Sequence, residues 1–161
     1  MTTCAFLLRD TDTNELYIAS VVGQYPEDIL GRRIKIGEEG ITGHAAAAGT
    51  AVNVGNVQLD QRFIASTGHT GSELAVPVIL KNKVVGVLDV ESDQKYAFSR
   101  RDEELLESLM DQVAVAIEKI ELKQQERERA SRLAITHALV KRLSGIVDSC
   151  VTRSALPSPP A

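Results

Sequence analysis

The segment 71–103, GSELAVPVILKNKVVGVLDVESDQKYAFSRRDE, constrains the fold of this chain more than any other. Aliphatic residues occupy both odd and even positions from Ser72 to Leu80, which is typical of a strand covered on both faces. Residues 81–83 are polar and short enough for a turn, and residues 84–90 return as a second strand. The sequence therefore predicts a β-hairpin at the centre of the domain.

Three residues of this segment make further predictions. Gly86 lies inside the second strand, which indicates either the close passage of another backbone or helix, or a simple bend. Asp89 lies in the same apolar strand, where it is either a buried acid or a strand-end residue capped by backbone or facing solvent, and we favour the second interpretation. Ser99 has an acidic residue three positions later, Asp102, which is the spacing of a helix N-cap. The hairpin should thus lead directly into a helix.

Shorter elements are expected before the hairpin. Residues 4–8 and 16–22 are apolar and flank the turn-forming sequence DTDTNE, which predicts another hairpin. Pro26 and the acidic residues after it favour a short helix or a turn, and residues 32–36 a brief strand. The sequence ITGHAAAAG predicts a small helix that ends at Gly49, and residues 51–54 predict a strand.

A long helical pattern follows Ser99. Its first half places apolar residues on one stripe, at Leu105, Leu106, Leu109, Met110, Val113, Ala116, Ile117 and Ile120. Residues 121–132 are almost wholly polar but contain no Pro or Gly, and apolar residues then return at Leu133, Ile135, Leu139, Val140, Leu143, Ile146 and Val147. We expect a homodimer formed through this C-terminal helix, with a break near residues 121–129 and folding back as the alternative. The predicted domains are a sensor domain 1–122, a helical signalling or dimerisation linker 123–150, and a disordered tail 151–161.

Composition limits the function classes. A chain of 161 residues with 43% hydrophobic positions suits one domain and an extension. A formal charge of −4 without a long basic block argues against nucleic acid or a membrane surface as a partner. The sequence has no apolar run long enough for a membrane span and no signal-peptide pattern at its start, so we expect a cytoplasmic location. Cys4 and Cys150 lack metal-ligand or redox-pair spacing, so neither a metal site nor a cofactor is predicted.

Three segments together resemble a GAF domain of a bacterial signalling protein: IKIGEEGITGHAAAAGTAVNVGNV, SELAVPVILKNKVVGVLDVES and FSRRDEELLESLMDQVAVAIE. The resemblance implies an α/β (α+β) fold with a central antiparallel sheet of five or six strands, helices on one face, and loops over a small-molecule pocket. It also implies an N-terminal helix that this sequence lacks. The segment RLAITHALVKRLSGIVDS is similar to the leading helix of a further repeat or to a signalling linker, which implies a covalently linked output domain in a longer sensor, such as a two-component system.

Members of this family carry several chemistries, and each requires particular residues. Phe98, Asp102 and Glu103 match half of a cyclic-nucleotide motif, but helix capping explains them better. Free methionine sulfoxide reductases need thiols at the pocket, and no cysteine occurs between Ala5 and Ser149, so we expect that chemistry to be absent. A loop histidine such as His69 serves haem-binding members, but a single histidine defines no porphyrin site.

The resulting prediction is a module that is not an enzyme. It is expected to bind an unidentified small molecule or a partner domain and to transmit the change through the long helix. The alternatives are a scaffold for dimerisation without a ligand, or a cyclic-nucleotide- or haem-binding domain. Glycines bound the segment 55–71, and loops on a rigid scaffold often carry binding residues. The predicted ligand-binding residues are Val54, Asp60, Phe63, Ile64, Ser72 and Leu74.

Overall fold

A computed structural model of the protein describes residues 2–65 and 68–154, with the side chains of residues 143–154 outside that description. The helices and strands follow the predicted order closely. They are β1 Thr2–Asp10, β2 Glu15–Val22, β3 Arg33–Lys35, α1 Gly40–Ala48, β4 Val52–Val54, a 3-10 helix Val57–Leu59, β5 Ser72–Leu80, β6 Lys83–Ser92 and α2 Arg100–Ser154. The segment around Pro26 is a turn, in which the Ile29 amide donates to the Pro26 carbonyl at 3.2 Å.

The six strands form one antiparallel sheet in the order β3-β2-β1-β6-β5-β4. This confirms the predicted α+β fold with a central antiparallel sheet and a long C-terminal helix. β6 is a central strand, paired with β1 on one side and with β5 on the other. Side chains of β6 are therefore held between two neighbours, which fixes their positions more tightly than those on an edge strand.

The β5–β6 hairpin contains an irregularity that sets which side chains share a face. Lys81 and Asn82 both adopt positive φ (51° and 62°), as a two-residue hairpin turn requires, and the pairing starts at Leu80 with Lys83. Between Val78 and Ile79 the register shifts by one residue. Beyond this bulge Glu73 lies opposite Glu91 and Ala75 lies opposite Asp89. Because facing residues point to the same side of a sheet, Glu73, Asp89 and Glu91 share one face.

The sheet separates two hydrophobic clusters, one under each helix. The first joins α1 to strands β1, β2, β5 and β6 through Ile41, Ala45 and Ala46 of the helix with, among others, Ala5, Leu7, Leu16, Ala75 and Val87. The second joins β5 to the first turns of α2 through Leu74, Val76, Val78, Met110 and Ala114. Alternate residues of β5 thus enter different clusters, as the continuous apolar run of this strand predicted.

Gly86 lies where two strands approach most closely. A Cβ at this position would lie 2.6 Å from the backbone oxygen of Leu7 in β1, which is shorter than a real contact. Of the two interpretations offered by the sequence, close passage of another backbone is confirmed. Only glycine lets β1 and β6 pair at this point.

The start of α2 is fixed by a reciprocal cap. The Ser99 amide and hydroxyl both donate to Asp102 Oδ2, at 2.8 and 2.6 Å, and the Asp102 amide donates back to Ser99 Oγ at 3.3 Å. This is the capping arrangement that the sequence predicted. Arg100 therefore begins the helix, one residue after its cap.

The chain divides into two units, residues 1–118 and 119–161. The first contains the sheet, α1 and the part of α2 that packs on β5. In the second, the apolar side chains of Leu133, Ile135, Leu139 and Val140 are each more than half exposed. α2 continues to Ser154, four residues into the segment predicted as a disordered tail, and the rest of that tail lies outside the described residues. No described helix combines the length and the apolar character that crossing a membrane needs.

Candidate functional site

Three buried carboxylates meet on the α1-facing side of the sheet. Glu73 projects from β5, and Asp89 and Glu91 project from the neighbouring strand β6. They are exposed by only 4%, 7% and 3%, and one carboxylate oxygen from each lies within 4.8 Å of the other two. All three line a cavity of about 60 Å³ between the sheet and α1. Like charges held this close in the interior require a proton, a cation or a hydrogen-bond donor between them.

Burial and mutual repulsion change the proton affinity of this cluster. Removal from water, followed by the neighbouring charges of Asp89 and Glu91, raises the pKa of Glu73 well above its ordinary value. Removal from water and the charge of Glu91 likewise raise the pKa of Asp89. The contact between Glu73 and Asp89 favours the proton on Glu73, because it raises the pKa of Glu73 and lowers that of Asp89. Asp89 Oδ1 is buried and has no hydrogen-bond partner, so it remains an acceptor for a ligand.

The first turn of α1 forms the opposite wall of the same cavity. Gly40, Ile41 and Thr42 line it, together with Glu39 and Arg32. The side chain of the N-cap residue, Glu39, makes no capping hydrogen bond, so it leaves the first amides of α1 uncapped. A helix N-terminus attracts anions because its amides point outward and carry partial positive charge. The cavity therefore has an acidic wall and, opposite it, a wall that combines the amides of the helix N-terminus with one basic and one acidic side chain, Arg32 and Glu39.

A wider cavity of about 280 Å³ adjoins the first, and Tyr25 and Glu91 line both. The Thr70 hydroxyl donates to Glu91 Oε2 at 2.9 Å and so holds this carboxylate at the junction. The Tyr25 hydroxyl is buried and makes no hydrogen bond of normal geometry, although Thr3 lies near enough to affect its pKa. Burial raises the pKa of Tyr25, so the phenol stays protonated and can donate. His69 lines the wider cavity as well.

The cluster Glu73, Asp89 and Glu91 is also the group of described residues that could hold a metal ion. Three carboxylate oxygens would suit a hard divalent cation such as Ca²⁺, Mg²⁺ or Mn²⁺. The same oxygens suit an alkylammonium group, which donates three hydrogen bonds from one positive centre. Both kinds of group are positively charged, which is the charge that this wall of the cavity suits.

The structure brings one of the predicted ligand-binding residues to the inner cavity, Ile64, which lines it from the loop after the 3-10 helix. The other five lie elsewhere among the described contacts. Val54 is buried in the cluster under α1, and Phe63 packs against that cluster. Asp60 is paired with Arg62, whose Nη2 lies 2.6 Å from Asp60 Oδ2. These three residues are not among the described residues that line either the inner cavity or the wider cavity of about 280 Å³.

Ser72 and Leu74 are on the other face of β5. Leu74 belongs to the cluster under α2, and the Ser72 hydroxyl donates to the Gln94 carbonyl at 2.7 Å. The strand contributes to the cavity through Glu73, which sequence reasoning passed over. The interpretation of Asp89 as a capped or solvent-facing residue is wrong, because Asp89 is buried in the carboxylate cluster.

Cysteine is missing from the described walls of both cavities. Cys4 precedes Ala5 in β1, and Ala5 lies opposite Asp89, so strand alternation assigns Cys4 to the face away from the carboxylates. Burial and the charge of Asp89 raise the pKa of the Cys4 thiol, which disfavours the thiolate. The side chain of Cys150 lies outside the described residues.

Comparisons with known proteins identify the fold and several relatives. A family described as "GAF domain" matches residues 1–118. The chain is 31% identical over 108 residues to the free methionine-R-sulfoxide reductase of Escherichia coli, covering 67% of this chain and 61% of that protein. It is 32% identical over 105 residues to GAF domain-containing protein A of Dictyostelium discoideum, covering 65% of this chain and 63% of that protein. The chain thus spans about three fifths of each of these relatives.

Similar solved structures also include both a free methionine-R-sulfoxide reductase and a GAF domain of another protein. The free methionine-R-sulfoxide reductase of Neisseria meningitidis, solved with its substrate, has a TM-score of 0.66 and 31% identity, over 72% of this chain and 66% of that one. The GAF domain of an Acinetobacter phosphoenolpyruvate-protein phosphotransferase has a TM-score of 0.66 and 28% identity, over 76% and 74%.

These relatives overturn two predictions made from the sequence. The chain was expected to be a non-catalytic regulatory module and not an enzyme, partly because it lacks pocket cysteines. Reductases of free methionine-R-sulfoxide recur among its similar sequences and structures, and they are enzymes built on this fold. Thiols supply the electrons for such a reduction, so the absence of cysteine from the described cavity walls concerns the source of the electrons and not the class of molecule that the cavities bind.

Proposed function

We propose, on the premise that this chain belongs to the GAF domain family, that its cavities bind free methionine-R-sulfoxide and present the sulfoxide to an external thiol for reduction. The observation that carries this proposal is the inner cavity with three carboxylates on one wall and an uncapped helix N-terminus on the other. The reductase relatives supply the substrate class.

The two walls suit the two charges of a free amino acid. The ammonium group fits against Glu73, Asp89 and Glu91, where Asp89 Oδ1 offers an acceptor without a partner. The carboxylate fits at the first turn of α1, where backbone amides and the nearby Arg32 favour an anion. A methionine sulfoxide inside a polypeptide has neither charge at its α-carbon, so this arrangement selects the free amino acid.

The sulfoxide end then extends into the wider cavity. Tyr25 lies at the junction and has a protonated hydroxyl without a normal hydrogen-bond partner. A hydrogen bond from this hydroxyl to the sulfoxide oxygen would draw electrons from sulfur and make it more open to attack. Tyr25 is thus proposed as the group that orients and polarises the sulfoxide.

The electrons come from outside the described cavity walls. Reduction converts the sulfoxide and two thiols into a thioether, a disulfide and water, so the reaction balances with one dithiol per turnover. The wider cavity has the volume to admit a thiol beside the substrate. The predicted cytoplasmic location would supply reduced thiols.

The test measures binding and turnover on the same sample. Isothermal titration with L-methionine-R-sulfoxide is expected to give a saturable heat, and the S epimer a weaker one. Incubation with dithiothreitol, followed by chromatographic measurement of methionine, is expected to give product above the rate of dithiothreitol alone. Tyr25→Phe should lower the turnover rate more than it lowers affinity.

The two measurements separate the parts of the proposal. Binding of the R epimer without methionine formation under any thiol tested would overturn the enzymatic part. A lack of binding to either epimer would overturn the substrate as well.

A further inference from the structure

The carboxylate cluster has more negative charge than the described residues around it neutralise. The three acids are all buried, and one oxygen from each lies within 4.8 Å of the others. The described ion pairs leave Glu73 and Asp89 without a basic partner, since the nearby Arg62 is paired with Asp60. A cluster of this kind retains a proton in the free protein, because two adjacent buried carboxylates do not ionise together.

We propose that Glu73 and Asp89 share one proton in the free protein, and that the ammonium group of the ligand expels it to solvent when it binds. This inference rests on the proposed function, since it concerns the same site and a ligand with a primary ammonium group. Glu73 donates to Asp89 in the free site. When the ammonium arrives, it supplies the positive charge and the hydrogen-bond donors, so both carboxylates ionise and one proton leaves.

The geometry supports this exchange at three points. Glu73 and Asp89 are on adjacent strands and on one face, so their carboxylates approach each other without movement of the backbone. Asp89 Oδ1 is unpartnered, so a bound ammonium gains an acceptor that the shared proton does not use. The Thr70 hydroxyl donates to Glu91 Oε2 at 2.9 Å, so the third carboxylate has a hydrogen-bond donor that Glu73 and Asp89 do not share.

Other titratable or charged groups lie near the cluster. Among the described residues they are Cys4 of β1, Tyr25 of the β2–β3 connection, Arg32 and Glu39 at the inner cavity, the Asp60–Arg62 pair of the following loop, and His69 at the wider cavity. Burial raises the pKa of Glu73, and the nearby negative charges of Glu91 and Asp60 raise it further. The proton is therefore retained above the pH at which an exposed glutamate loses it.

The exchange predicts how affinity changes with pH. Below the pKa of the shared proton, each unit of falling pH should weaken binding of L-methionine-R-sulfoxide about tenfold, because one proton must be displaced. Above that pKa the affinity should be constant until the ammonium group of the ligand itself loses its proton. A site without the proton would show a flat profile across the same range.

Calorimetry in two buffers counts the released protons directly. Titration of L-methionine-R-sulfoxide at one pH in phosphate and in Tris should give different heats, because the two buffers take up a proton with different enthalpies. The difference is expected to correspond to about one proton per site. On the wild-type protein, 4-(methylsulfinyl)butanoic acid, which lacks the ammonium group, should bind more weakly and release none.

Variants test whether the released proton comes from the pair of carboxylates or whether any substitution changes the heat of binding. Glu73→Gln keeps the shape and a hydrogen-bond donor but has no proton to lose, so its heat of binding should not depend on the buffer. Glu121→Gln, at an exposed position of α2, should behave as the wild type. If Glu73→Gln does not fold, Asp89→Asn and the comparison of the two ligands on the wild type still decide the question.

The outcomes distinguish this inference from the proposed function. Binding of L-methionine-R-sulfoxide with equal heats in both buffers and a flat pH profile would overturn the proton exchange alone. Absence of binding at every pH would overturn both.

Discussion

Single residues determine two properties of this domain: how closely its central strands pair, and which carboxylates are buried on one face of the sheet. Gly86 permits the pairing of β1 with β6, since a side chain there would meet the backbone of Leu7. Glu73 and Asp89 are buried on the neighbouring strands β5 and β6. Both features lie in or beside one hairpin, so the stability of the domain and the proposed ligand site depend on the same few positions.

Replacing Gly86 with alanine is expected to destabilise the domain by about 1 to 3 kcal/mol, because the added Cβ forces two paired backbones apart. Urea unfolding followed by circular dichroism measures the change. Gly68→Ala is the matched control, since a Cβ there meets nothing within 4 Å and the variant should unfold within about 0.5 kcal/mol of the wild type. Equal stability of the Gly86 variant would mean that the strands can separate without cost.

Glu73 should make the free domain less stable as pH rises. Its pKa in the folded state is raised above the unfolded value, so its contribution is greatest below the unfolded pKa and is lost as pH rises through the folded pKa. Glu73→Gln has no carboxyl group to titrate, so this loss of stability should be absent from the variant. The expected difference is about 1.4 kcal/mol for each unit by which the folded-state pKa of Glu73 exceeds the unfolded-state pKa. Urea unfolding from pH 5 to pH 8 should show a flatter profile for the variant. A variant profile parallel to the wild type would exclude a raised pKa at Glu73.

At the scale of single elements, the start of α2 depends on its cap, and the sequence predicted this cap correctly. Ser99 and Asp102 exchange hydrogen bonds between side chains and backbone amides, which satisfies amides that the first helical turn leaves open. Phe98 packs against the cluster formed by β5 and α2. The cap therefore fixes where α2 begins, two residues after Phe98.

Ser99→Ala should destabilise the domain by about 1 kcal/mol, because the cap loses its side-chain acceptor. Thermal unfolding measures the change. Ser108→Ala, at an exposed position inside α2, is the control and should be neutral or slightly stabilising, since alanine is the better helix former. Similar effects of the two substitutions would show that the cap contributes little.

At the scale of the whole molecule, residues 1–118 form the GAF domain, and residues 119–161 form a second unit. The predicted boundaries at residues 122 and 150 remain a prediction. In the second unit, Leu133, Ile135, Leu139 and Val140 are largely exposed within an otherwise polar helix. Apolar side chains grouped in this way on a helix are typical of a surface that pairs with another helix.

We propose that this surface pairs two copies of the chain. Multi-angle light scattering is expected to give the mass of a dimer for the full chain and of a monomer for a chain truncated after Leu122. The double variant Leu133→Glu and Leu139→Glu should also be monomeric, and Ser131→Glu, at an exposed polar position, should stay dimeric. A truncated chain that is still dimeric would assign the contact to the first unit.

The sequence by itself determined the order of the elements, the central hairpin, the helix cap and the family, because local turn chemistry, periodicity and capping depend on neighbours in the chain. It also indicated that something passes close to Gly86. It did not determine the face to which the acids of the hairpin point. If the strands paired without a register shift after the two-residue turn, Ser72 and Leu74 would lie on the same face as Asp89 and Glu91. Ser72 and Leu74 are the two residues of β5 that were predicted to bind the ligand.

The bulge between Val78 and Ile79 reverses that relation and places Glu73 with the two acids of β6. A shift of one residue moves every later side chain to the other face. The residue without a partner is Val85 of β6, and the neighbouring Gly86 is compatible with a bulge but does not specify one. Packing decides it, since β6 must fit between β1 and β5 while the apolar residues of β5 fill the clusters under both helices. The carboxylate site is therefore a product of tertiary structure.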